Sequence, residues 1–327
     1  MKIPPHFLIQ SNIRREANLP ILVAGGGGFI GSHVARSLLI KGHEVITVGR
    51  SNLTLNHLPS NSHTRHTHII SDISSPLLLN VDAIYNFASP ASPIQHKKDP
   101  LQTIRTNVMG TWNLLNLAAD LQVPFFQAST AEIYGATASP QPESYLGSSD
   151  TFGEMASYVE SKRLAETLCS EFHRVHKVPI RVARIFSTYG PGMAWGNGRV
   201  MTNFISQALS GKPITMYGDG QDQRSFLFID DLVTGISRMM DSKESKVGPL
   251  NLGSTEVISL RKLAEKIIKM TNSSSELKFS PAPSLSARAL VPDIELVKEL
   301  LSWEPRVDLD KGLSLTIENF LSSPTIQ

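Results

Sequence analysis

The stretch that decides the fold runs Leu19-Pro20-Ile21-Leu22-Val23-Ala24-Gly25-Gly26-Gly27-Gly28-Phe29-Ile30-Gly31. Leu19 to Ala24 is a short apolar run of β-forming residues, and it ends abruptly in four glycines. From Phe29 to Ile40 the apolar residues recur at helical spacing, and Lys41-Gly42-His43 closes that helix. Glu44 to Val48 then reads as a second strand. Strand, glycine turn, helix and strand in this order form the repeating unit of a parallel, doubly wound sheet. The glycines fit G-x-x-G-x-x-G. Gly25 permits the tight turn, Gly28 lets the backbone approach a pyrophosphate, and Gly31 lets the helix pack against the strand. Phe29 and Ile30 fall on the first helical turn, where free N–H groups and the helix dipole favour an anion.

The alternation continues outward from this unit. Strands are predicted at His68 to Ile70, Val81 to Phe87, Phe125 to Ser129 and Ile180 to Ile185, with helices at Pro100 to Leu121 and Tyr158 to Lys177. After Ser187, Gly, Pro, Asn and Asp punctuate shorter elements, with helices at Arg199 to Leu209 and Asp231 to Met240. The expected organisation is a tail over residues 1–18, a Rossmann-type dinucleotide-binding domain over 19–186 and a smaller substrate-binding lobe over 187–327. A ligand belongs in the crevice between the two.

Composition narrows the classes. Apolar residues make up 41% of the 327 residues and charged residues 18%, which supplies an ordinary core. The net charge of +2, without a basic stripe interleaved with aromatics, argues against nucleic acid as a partner. No run reaches the roughly 20 apolar residues of a membrane span. The first 19 residues hold only a short Phe7-Leu8-Ile9 patch, without the apolar core of a signal peptide, so the expected location is cytoplasmic. The single cysteine, Cys169, excludes an internal disulfide and reads as a buried helical residue. His57, His63, His66 and His68 lie in a polar stretch with no cysteine or paired carboxylate, so no metal site is expected.

Two further constellations carry chemistry. Tyr158-Val159-Glu160-Ser161-Lys162 places a tyrosine and a lysine on one helix face, one turn apart. The ammonium is expected to lower the phenol pKa, and the tyrosinate to take a proton from a hydroxyl. Ser129-Thr130-Ala131-Glu132 follows a strand at its carboxyl end, where open α/β sheets hold ligands. Thr130 offers a hydrogen bond to the reacting hydroxyl, and Glu132 an acid, base or water-positioning group. At the end of the second strand, Val48-Gly49-Arg50-Ser51 lacks the usual ribose-binding carboxylate and offers an arginine instead. That leaves NADP open beside NAD, and it equally leaves Arg50 pointing to solvent. Asp72 is either an adenine contact or a turn cap.

With these residues on the page, the chain resembles an extended short-chain dehydrogenase/reductase. It is most similar to the UDP-glucuronate decarboxylases over about Pro20 to Phe320. The resemblance is carried by Ala88-Ser89-Pro90-Ala91-Ser92-Pro93, Thr106-Asn107-Val108-Met109-Gly110-Thr111, Gly198-Arg199-Val200, Tyr217-Gly218-Asp219-Gly220, Arg224-Ser225-Phe226, Asn251-Leu252-Gly253 and Pro292-Asp293-Ile294. It implies that Ala88 and Asn107 join the cofactor site. It implies that Ser89, Ser92, Ser187, Arg199, Tyr217 and Arg224 join the substrate site. The related 4,6-dehydratases carry an aspartate before the glutamate, and Ala131 stands there instead, which disfavours dehydration. The implied reaction is UDP-glucuronate to UDP-xylose through a 4-keto intermediate. NAD takes the C4 hydride, Tyr158 is the base, and Lys162 and Thr130 assist. Glu132 and Arg224 attend the carboxylate end. Departures from the family pattern are Gly49 for the acid, Ser187 for an asparagine, Gly192 for an arginine and Leu290 for an arginine, with Arg288 close by. The alternatives are an epimerase or 4,6-dehydratase-type enzyme on another nucleotide sugar, and a non-catalytic nucleotide-binding protein. The resemblance also implies a homodimer built from the helix after Pro100 and the Tyr158 helix.

Overall fold

Four consecutive residues, Ile21 to Ala24, are all buried, because the first strand lies in the middle of a sheet covered on both sides. Leu22 and Ala24 face a cluster with Leu114, Leu115 and Phe172, and Ile21 and Val23 face another with Val34, Leu38 and Leu232. Alternate side chains of one strand thus nucleate two cores.

The computed structural model of the protein describes residues 19–52, 63–135, 140–281 and 290–322. The predicted tail, His57 and Arg288 lie outside the described residues. The stretch up to residue 186, expected as the first domain, carries β1 (Ile21–Ala24), α1 (Phe29–Ile40), β2 (Val45–Gly49), β3 (His66–Ile70), β4 (Ala83–Asn86), α2 (Pro93–Lys98), α3 (Pro100–Arg105), α4 (Thr111–Leu121), β5 (Phe125–Thr130), α5 (Ala156–His176) and β6 (Ile180–Ile185). The second carries β7 (Thr188–Tyr189), α6 (Val200–Leu209), β8 (Ile214–Tyr217), β9 (Gln223–Ser225), β10 (Leu227–Phe228), α7 (Ile229–Asp241), β11 (Lys246–Leu252), β12 (Val257–Ser259), α8 (Leu260–Met270), β13 (Leu277–Ser280), α9 (Glu295–Leu301) and α10 (Leu309–Ser322).

The main sheet has seven strands in the order β11-β6-β5-β4-β1-β2-β3, and every neighbouring pair is parallel. It is the doubly wound Rossmann-type sheet expected from the first strand and helix. Helices α1 and α7 pack together, as do α3, α4 and α5. The division expected at residue 186 does not divide the sheet, since β11 comes from the second stretch and pairs with β6. Gly248-Pro249 interrupts its pattern and shifts its register between Val247 and Leu250. Proline is tolerated there because β11 is an edge strand. The small pairs β10-β7, β12-β9 and β13-β8 belong to the second stretch, with its helices α6 and α8.

Local sequence explains the helix starts that matter for the site. The Ser92 hydroxyl accepts the Gln95 N–H, the Asp99 carboxylate accepts the Gln102 N–H, and a proline follows each cap. Both are ordinary N-caps with proline in the first turn. The helix predicted over Pro100 to Leu121 is α3 and α4 joined by a π turn at Thr106–Gly110. Such turns recur beside functional sites. Here it carries Asn107, whose amide donates to Ser161 Oγ of α5 at 2.8 Å.

Candidate functional site

The carboxyl ends of β1, β4, β5 and β6 open into two adjoining cavities. The first, about 390 Å³, is floored by Gly25, Gly28, Phe29, Ile30 and Gly31 and reaches Lys162. Gly25 has φ +76°, and a Cβ there would come within 2.6 Å of Ala88 N. A Cβ on Gly31 would lie 2.3 Å from Gly25 O, so the helix approaches the turn only without one. The second cavity, about 320 Å³, is lined by Glu132, Ser187, Arg199, Arg224, Phe226 and Leu290, among others. The two share Ala91, Tyr158, Ile185, Phe186, Thr188, Met193 and Arg199, so they adjoin beside the tyrosine.

Tyr158 is buried, as is Lys162 one turn further along α5. Lys162 Nζ donates to Ala128 O at 2.9 Å and lies 5.9 Å from the Tyr158 ring centroid. Burial pushes the ammonium down to about 8, against the pull of Glu166. The phenol departs from expectation. Burial holds its pKa above the ordinary value, although a hydrogen bond to Thr130 and the charge of Arg199 pull it down. Desolvation of the anion outweighs these partners.

Thr130 ends β5, and its hydroxyl accepts the Glu132 N–H at 3.2 Å. That cap turns the chain so that Glu132 enters the second cavity. Its side chain is open to that cavity, and desolvation by the surrounding protein raises its carboxyl, opposed by Arg224 and Arg199. Arg224 lies 3.6 Å from Asp222, and Arg199 donates to Ala91 O at 3.1 Å. Beneath Lys162, Glu166 accepts from Ser129 Oγ at 2.5 Å and pairs with Arg184 at 2.9 Å. Arg184 also donates to Tyr134 OH at 3.0 Å, which in turn donates to Asn251 at 2.7 Å.

Other predicted site residues are placed differently. Ser89 and Ser92 line the first cavity with the glycines. Tyr217 is 56% exposed in β8, which pairs with β13, and it lines neither cavity. Asp72 accepts from Ser74 N and Oγ and from Gln102 Nε2. Its carboxyl lies below the usual value, since these bonds and the charge of Arg50 outweigh its burial penalty. Arg50 is exposed at the end of β2, and Ala88 N–H donates to Asn86 at 3.2 Å. Thr47 Oγ1 bonds ring nitrogens of both His66 and His68 at 2.9 Å. Among the described residues no group of three metal-ligating side chains occurs.

Four buried polar atoms lack a partner among the described residues: Ser89 Oγ, His96 Nδ1, Asn107 Oδ1 and Ser157 Oγ. Each sits on α2, on α5 or on the segments beside them. Leaving such groups unpaired costs about 1–3 kcal/mol each, and Ser89 opens on the glycine-floored cavity. Together with the Gly25 and Gly31 cradle, this suits a dinucleotide that brings polar groups of its own.

The family model described as the NAD dependent epimerase/dehydratase family matches residues 21–253. The chain belongs to this family. It is 41% identical to UDP-glucuronic acid decarboxylase 2 of Arabidopsis thaliana, covering 94% of this chain and 69% of that protein. It is 40% identical to UDP-glucuronic acid decarboxylase 1 of Xenopus tropicalis, covering 98% and 75%. Among solved structures, UDP-glucuronic acid 4-epimerase from Bacillus cereus in complex with NAD superposes with a TM-score of 0.78 at 26% identity, covering 93% and 99%. The family is described as NAD dependent, and NAD is bound in that neighbouring structure.

Several cavity residues escaped the sequence reading. Met155 and Met193 line the second cavity from loops with no motif of their own. His96 lines it too, and only the Ser92-Pro93 cap signalled that a helix would start there.

Proposed function

We propose that this chain is a UDP-glucuronate decarboxylase that forms UDP-xylose. The observation that carries the reading is the second cavity. There Glu132, Arg199 and Arg224 gather charge beside Tyr158 and Thr130, in a chain about 40% identical to decarboxylases over nearly its whole length. Bound NAD supplies a hydride acceptor that returns the hydride at the end of the cycle. Tyr158 takes the proton of the C4 hydroxyl, and Thr130, bonded to it, fixes the phenol in place. Lys162, anchored on Ala128 O, holds a positive charge against the developing phenolate. Arg224 and Arg199 orient the anionic substrate, and Glu132 lies where the carboxylate end is handled. With a ketone at C4, the C5 carboxylate leaves as CO2 and the electron pair moves toward the ketone oxygen. The enolate so formed takes up a proton at C5, and Tyr158 returns its own proton to the C4 oxygen when C4 is reduced.

An NMR time course with UDP-glucuronate tests this, with NAD and NADP in parallel. UDP-xylose and CO2 are expected. A product inverted at C4 without CO2 would make the chain an epimerase. No turnover would point to another nucleotide sugar gripped through Ser187, Gly192 and Leu290, or to a non-catalytic protein.

A homodimer is part of the same reading. Leu101 (77% exposed), Met109 and Trp112 on the 100–121 helix and Leu164 on α5 present apolar surface that a second copy would cover. Sedimentation as a monomer at micromolar concentration would overturn it. No described helix is long and apolar enough to cross a membrane.

A further inference from the structure

Helix α2 carries a side chain that no motif singled out. His96 is 2% exposed yet lines the second cavity. Its ring lies flat on that of Tyr158, with centroids 5.4 Å apart and planes inclined by 17°. The backbone fixes this placement. The His96 N–H donates to Ser92 O at 3.1 Å, inside the capped first turn of α2. Neighbouring Lys97 pairs with Glu154 at 2.6 Å, which ties α2 to the segment entering α5. The imidazole is therefore held on the tyrosine from both ends of the contact.

Its Nδ1 is sealed and without a partner, and of the two ring nitrogens only Nδ1 is sealed. A buried N–H without an acceptor is much rarer than an under-satisfied acceptor. The neutral ring therefore carries its proton on Nε2, the polar atom left to meet the cavity. The surrounding charges favour the neutral form. Burial, Lys97 on its own helix and Arg199 at the start of α6 all hold the imidazole below its ordinary value. Arg224 adds positive charge to the same cavity, and Tyr158 beneath the ring stays a phenol. Glu132 is the only carboxylate lining it among the described residues, and desolvation weakens its ionisation.

We infer that His96 is a substrate-binding residue whose Nε2–H donates to an acceptor oxygen of the sugar acid while its ring fixes the plane of Tyr158. The identity of the sugar rests on the decarboxylase reading; the tautomer and the contact do not.

Kinetics and NMR together test it. His96→Phe keeps a ring over Tyr158 but loses the N–H. KM for UDP-glucuronate is expected to rise about tenfold, with kcat changed less than about threefold. His96→Gln, which regains an N–H donor, is expected to recover most of that loss, and a purely structural role would not give this rescue. Nitrogen-15 spectra of histidine-labelled wild-type enzyme, assigned by the Phe variant, should show a neutral Nε2–H tautomer across about pH 6 to 8. That resonance should move when UDP-glucuronate is added. An Nδ1–H tautomer, a static resonance in the saturated enzyme, or a wild-type KM in the Phe variant overturns the assignment. If the resonance moves but no CO2 is released, the decarboxylase reading falls and the His96 contact stands.

Discussion

The two cavities adjoin beside one tyrosine but are built by opposite means. The floor of the first is made of backbone. The glycine turn between β1 and α1 and the first turn of α1 supply it, and side chains from α2, β5, α5 and the segment after β6 complete the wall. The second is made of side chains drawn from distant points. Glu132 follows β5, His96 sits on α2, Arg199 caps α6, Arg224 lies in β9 and Leu290 precedes α9. A site made from consecutive backbone is stated in one motif. A site made from scattered side chains exists only after the chain has brought them together.

The sharpest way to break this contrast is at a residue the two share. Tyr158→Phe is expected to lower kcat by about 10³ or more while NAD affinity stays within about twofold. Near wild-type turnover would remove Tyr158 as the base. Next in size is Gly31→Ala, whose Cβ would fall 2.3 Å from Gly25 O. NAD should bind at least about tenfold more weakly, since overpacking costs about 1–3 kcal/mol. Calorimetry with UDP, by contrast, should find the second cavity little changed. Equal losses for both ligands would show that the two cavities are not separable.

Arg224→Gln strikes only the side-chain cavity. KM for UDP-glucuronate should rise about tenfold or more, from a lost charge-assisted hydrogen bond of about 1.5–3 kcal/mol, with NAD affinity retained. A lowered NAD affinity would contradict the division. A smaller effect concerns pH. Lys162 lies at about 8, so its ammonium is present below that pH and lost as pH rises through it. The kcat/KM profile should therefore carry an alkaline limb near there. Glu166 raises the lysine, so Glu166→Gln should move the limb to lower pH. A limb that does not move would separate Glu166 from the ionisation of Lys162. Smallest is Gly49→Asp, expected to shift preference toward NAD over NADP by several-fold. Unchanged relative affinities from fluorescence titration would remove Gly49 and Arg50 from cofactor choice.

Burial separates the folded Tyr158-Lys162 pair from what its spacing implies. One helical turn between Tyr158 and Lys162 suggested that the ammonium depresses the phenol. That inference used spacing and charge but not burial. In the folded protein desolvation outweighs the nearby charges on Tyr158 and lowers Lys162 itself.

By itself the sequence determined the parallel sheet, the glycine-floored cavity and the Tyr158-Lys162 pair. Each depends on residues within a few positions of one another, where helical and strand periods fix relative placement. Only the tertiary structure decided the rest. It placed β11 in the first sheet, set Tyr217 apart from both cavities, and stacked His96 on Tyr158 across 62 residues of chain. Long-range packing and the exclusion of water set these contacts, and no local pattern of residue types encodes which distant surfaces will meet.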